Sequence, residues 1–170
     1  MKKLVFTLLF VLTVGLVQAQ DIFAASRSNN IEELQKFVSE KVDVNQVNDR
    51  GFSPLILAVY NNNSEAVTFL IANGANVNAQ DESGNNALMG ATFKGYTDMV
   101  KILIENKANV NQINFSGAST LIFAATFGKV DLVQMLIKAG ADKTIKDNRG
   151  KTALDHATLQ ENTALISLLK

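Results

Sequence analysis

Glycine returns at a fixed interval in this chain: Gly51, Gly84, Gly117 and Gly150 lie 33 residues apart. The chemistry before each glycine returns with it. KVDVNQVNDRG (41–51), GANVNAQDESG (74–84) and KANVNQINFSG (107–117) are one polar stretch written three times. A period of this length constrains the fold more than any composition does. Each copy is one piece of supersecondary structure that cannot bury its apolar face alone, so neighbouring copies must stack.

Two residues past each glycine stand Ser53, Asn86, Ser119 and Thr152. All are N-cap residues, whose side-chain oxygens accept from the unpaired N–H groups of a first helical turn. Pro54 follows the first of them, at the helical position where its missing donor costs least. An apolar stripe comes next: Leu55, Leu57 and Ala58; Leu88 and Ala91; Leu121, Phe123 and Ala124; Leu154 and Ala157. A short first helix fits it, with Phe123 read as a core residue. The pattern breaks at Asn61-Asn62-Asn63, Lys94-Gly95 and Phe127-Gly128. A second helix follows, carrying Val67, Leu70 and Ile71; Val100, Leu103 and Ile104; Val133, Leu136 and Ile137 on one face. Gly74 and Gly140 end two of these helices, where a left-handed residue is wanted. Lys41 and Lys107 stand at the equivalent places.

The expected architecture is therefore all-α: antiparallel helix pairs handed from one to the next by hairpin-like polar connectors. These residues resemble the ankyrin repeat, with its 33-residue period and T-P-L-H-x-A signature. The matching stretches are Ser53-Pro54-Leu55-Ile56-Leu57-Ala58 and Thr152-Ala153-Leu154-Asp155-His156-Ala157. The family's G-A-D-V-N is mirrored by Gly74-Ala75-Asn76-Val77-Asn78, Ala108-Asn109-Val110-Asn111 and Gly140-Ala141-Asp142. The resemblance implies a solenoid of about five stacked repeats, near 21–49, 50–82, 83–115, 116–148 and 149–170, with polar caps at both ends. Ile56, Met89, Ile122 and Asp155 replace the family's histidine. Its hydrogen-bond bridging between repeats is expected to give way to apolar packing.

The first residues carry a separate signal. Met1-Lys2-Lys3 is a basic start, Leu4 to Val17 is almost wholly apolar, and Val17-Gln18-Ala19 ends it with modest side chains. The pattern predicts a bacterial-type signal peptide, 1–19, cleaved after Ala19. The apolar run is too short for a membrane span of roughly 20 residues. The repeat domain is then 20–170, exported to the periplasm or, alternatively, secreted. The chain's formal charge is 0, and losing the leader's two lysines makes it −2. Bulk charge attracts neither nucleic acid nor anionic lipid. With no cysteine, apolar packing alone must hold the fold.

Three places in the chain could carry chemistry. His156, the single histidine, stands beside Asp155, and any triad would have to use it. It stands where the resemblance implies an apolar core residue and reads as a histidine of a partly open last repeat. The Asn-rich connectors alternate oxygens once, as in Asp43-Val44-Asn45, but Val47 and Gln80 interrupt the set and the glycine comes late for a calcium loop. Asn and Asp binding their own backbone in turns account for every copy. Asn62-Asn63-Ser64 and Asn114-Phe115-Ser116 match the glycosylation acceptor pattern. No enzyme, metal site or cofactor is expected.

The resemblance implies instead a protein–protein interaction module, a monomer that takes a protein partner on its concave side and connector tips. Arg50, Phe52, Phe115 and Arg149 carry over to tips, and Tyr60, Phe93, Lys94 and Phe127 to the exposed ends of first helices. Aromatic rings edged by cations have the make-up of an interface hot spot; the alternative is that some of these rings fold down against the neighbouring repeat. Phe115, at a tip, is the ring expected to be most exposed. An alternative form of the same function is an inhibitor or immunity-type protector that blocks an exported enzyme.

Overall fold

The apolar stripes lie on helices. The computed structural model describes residues 22–170, and the expected leader lies outside them. Among these residues every regular element is a helix, apart from two isolated bridges, Gln80 with Asn86 and Ile113 with Ser119. The chain divides into two compact units, one ending at Ala75 and one spanning Asn76–Lys170.

The first unit holds α1 (residues 22–28), α2 (Ile31–Ser39), α3 (Pro54–Tyr60) and α4 (Ser64–Ala72). α3 starts where Ser53 accepts from the N–H of Ile56, with Pro54 in its first turn. It packs on α4, and α4 packs on α2. Asn side chains sew the two hairpins together. Asn63 Nδ2 donates to the carbonyls of Ser26 (2.9 Å) and Arg27 (2.8 Å), and Asn45 Nδ2 donates to that of Gly74 (3.0 Å).

The second unit holds three hairpins: α5 (Ala87–Lys94) with α6 (Thr97–Glu105), α7 (Thr120–Thr126) with α8 (Val130–Lys138), and α9 (Ala153–Leu159) with α10 (Thr163–Leu169). First helices pack in the series α5, α7, α9, and second helices in the series α6, α8, α10. Leu88, Leu103, Leu121 and Leu136 are fully buried, each stabilising the stack by about 1.5–3 kcal/mol. Asn86, Ser119 and Thr152 each accept from the N–H three residues on. Thr152 forms a full capping box with Asp155.

Two expectations need correcting. Phe123 is only half-buried, not core. At the family's histidine position Ile56, Met89 and Ile122 are indeed buried. Polar bridging between repeats nevertheless persists, because connector amides carry it. Gln112 Nε2 donates to the Asn78 carbonyl (3.1 Å), and Gln80 Nε2 to that of Ile113 (2.9 Å). Asn111 Nδ2 donates to the Gly140 carbonyl (3.1 Å). These bonds satisfy backbone carbonyls that no sheet or helix uses.

The described non-glycine residues with positive φ fall at two places in the repeat. Asn29, Asn62 and Glu161 (φ 54° to 57°) turn one helix into the next within a hairpin. Lys41 (60°) and Lys107 (65°) follow second helices, as expected from their alignment with Gly74 and Gly140.

Candidate functional site

The connector tips are each built around an Asn or an Asp. Asn48, Asp81, Asn114 and Asp147 each use Oδ1 to accept from the N–H groups two and four residues on. Such turns fix what each tip presents. Tips also join within the second unit: Phe115 N donates to the Ser83 carbonyl (3.1 Å), and Asn148 N to that of Ser116 (2.9 Å).

In the first unit Arg50 is exposed, while Phe52 and Tyr60 are half-buried against each other, ring centroids 5.8 Å apart. Arg50 and Phe52 line a cavity of about 390 Å³, with Arg27 and Leu57.

The second unit gathers more. Phe93 and Phe127, nearly half exposed, meet edge to face with centroids 4.9 Å apart, and Phe123 lies 6.2 Å from Phe127. That geometry is the one favoured by aromatic quadrupoles. Lys94 is exposed beside Phe93 at the end of α5. Phe115 is 70% exposed, as its tip position predicts, and stands over Gly84. Next to Phe127 opens a cavity of about 330 Å³. Ala118, Ile122, Phe123 and Phe127 supply apolar wall, and Asp147, Asn148, Arg149 and His156 supply polar groups.

His156 is enclosed, as its core position in the repeat implies. It is 7% exposed, not open, and its Nε2 lies 2.9 Å from Asp147 Oδ2. The Lys151 and Arg149 N–H groups and His156 outweigh burial and hold the Asp147 carboxyl down to about 2, the Lys151 bond contributing most. The carboxylate is thus ionised at neutral pH and can only accept, which places a hydrogen on His156 Nε2. Ser116, the serine that lines the same cavity, donates to Asn114 Oδ1 (2.8 Å). The Asp–His pair therefore links the tip to α9 and is not set against a serine.

Residues 22–114 match the family model described as ankyrin repeats (3 copies), and residues 103–157 match one described as ankyrin repeats (many copies). The chain belongs to the ankyrin repeat family. Ankyrin repeats are generally protein–protein interaction modules, and this chain carries the framework of one. The comparison with curated proteins finds no match. Among the described residues no helix is long and apolar enough to cross a membrane, and no group of three or more acidic or histidine side chains is placed to hold a metal ion.

Sequence reasoning missed Asp147, His156 and Phe123 as members of this site. It also missed Leu159, which is 69% exposed. The repeat itself could have found Leu159, since it stands one period after Thr126 and two after Phe93. Of the two glycosylation patterns, the one at Asn114 is closed: that side chain is buried and donates to Asn85 Oδ1 (2.9 Å).

Proposed function

We propose that this ankyrin protein is an exported, non-catalytic binding module that takes one protein partner on the first-helix side of its second unit. The observation that carries the reading is the exposed Phe93–Phe127 pair beside a half-open cavity, with Phe115 exposed at a tip. Rings held in place by a packed scaffold give large contact area at low entropic cost, as interface anchors do. Arg149 and Lys94 edge the same surface. In the first unit the half-buried Phe52 and Tyr60, with the exposed Arg50, offer a counterpart.

Export is supported by the basic start, the apolar run and the Val17-Gln18-Ala19 ending, and the periplasm is the proposed location. Intact-mass measurement on protein from the native cell envelope tests it, with Gln20 as the expected first residue.

The binding surface is tested by placing a photo-crosslinking residue at Phe115, at Phe127 or at Gln134, an exposed position of α8. The expected outcome is one shared partner captured from Phe115 and Phe127 and not from Gln134. Capture from Gln134 alone would overturn the assignment. Adding the purified chain to that partner at equal stoichiometry then separates an adaptor, which leaves activity unchanged, from an inhibitor, which lowers it.

A further inference from the structure

The cavity beside Phe127 has a chemistry that selects what can enter it. Asp147 looks at first like a receptor for a partner's lysine, but its acceptor capacity is spent. Oδ1 takes the N–H groups of Arg149 (2.9 Å) and Lys151 (3.0 Å), and Oδ2 takes His156 (2.9 Å) and Arg149 Nη2 (3.4 Å). A carboxylate has about four lone-pair sites, so an incoming ammonium would find none free. Arg149 is in the opposite condition. Its side chain is 76% exposed, and of its five N–H donors only one is engaged, at a long distance. Arg149 thus brings the one charged group at the rim with donors to spare, beside an apolar wall of Ala118, Ile122, Phe123 and Phe127, with Ser116, Thr126 and Asn148 completing the lining.

From this we infer that the cavity takes a large apolar side chain of the partner with a carboxylate beside it, the apolar group against the phenyl rings and the carboxylate on Arg149. At about 330 Å³ the cavity lies at the small end of ligand pockets, roughly 300–1,000 Å³, a size for one anchoring side chain and its neighbour. Guanidinium and carboxylate match in shape as well as charge, so the contact is directional. The inference deepens the reading of the second unit as the binding surface and rests on it.

Selection of displayed linear peptides against the full chain tests it. Enriched sequences should place Asp or Glu within two residues of Phe, Leu, Ile, Met or Trp. A synthetic peptide of that kind should lose about tenfold or more in affinity on Arg149→Glu or Arg149→Gln, with far-UV circular dichroism unchanged. Exchanging its acid for Lys should restore binding to Arg149→Glu and not to Arg149→Gln. Peptides that lose binding on Phe127→Ala but show no acidic preference, or that bind the Arg149 variants equally, would overturn the inference while leaving the surface assignment standing. No enriched peptide, or none weakened by Phe127→Ala, would overturn both.

Discussion

His156 Nε2 lies 2.9 Å from Asp147 Oδ2, and this contact ties the last connector tip to α9. The same carboxylate holds the tip turn through its other oxygen, so a single ionised group organises both. Its folded pKa, about 2, is depressed from 3.8. Between those values the unfolded chain binds the proton and the folded one does not, so stability rises with pH. The contribution is complete above 3.8 and is lost as pH falls toward about 2. Asp147→Asn, which keeps the Oδ1 acceptor as Asn114 does, should flatten the fall in melting temperature across that window. An unchanged pH slope would show that the pair carries no linkage. Asp147→Ala should cost more at neutral pH, about 1–3 kcal/mol for the donors left unpaired.

Gly84 and Gly150 occupy the same tip position with similar φ, 77° and 74°. A Cβ at Gly84 would sit 2.7 Å from both the ring and the backbone nitrogen of Phe115, whereas one at Gly150 meets nothing within 4 Å. Gly84→Ala should therefore destabilise clearly more than Gly150→Ala in paired urea titrations, since both share the left-handed strain of about 1–2 kcal/mol and only one adds a clash. Equal losses would mean that the tip gives way freely under Phe115.

Lys107 holds φ 65° where Gly140 holds 89° at the equivalent turn. Lys107→Gly should remove about 1 kcal/mol of strain and raise the melting temperature by about 2–4 °C. Calorimetry showing no rise would mean that Lys107 side-chain contacts offset the backbone cost.

Much of the fold was legible because its determinants are local and repeated. Ser53, Asn86, Ser119 and Thr152 cap helices wherever they occur, and apolar spacing of three and four leaves little choice of buried face. The turns at Asn29, Asn62 and Glu161 were harder, since neither Asn nor Glu compels a left-handed backbone as glycine suggests it. At the site, Phe115 could be read because a tip leaves most of its ring uncovered. Phe123 could not. It lies two positions beyond Leu121, about 200° around the helix, so its ring turns toward the open side. The Asp147–His156 contact spans nine residues, a connector end and a helix start. Only the packed structure brings those two together.

The most direct test of the account asks whether the exposed ring pair selects a partner. Wild-type chain and the Phe93→Ala/Phe127→Ala variant would be used as bait in an envelope extract of the native cells, with quantitative mass spectrometry of what each retains. Matching far-UV circular dichroism would establish that both are folded. The account predicts one protein held by the wild type at near-equal stoichiometry and lost from the variant. Equal retention of the same proteins by both would contradict it.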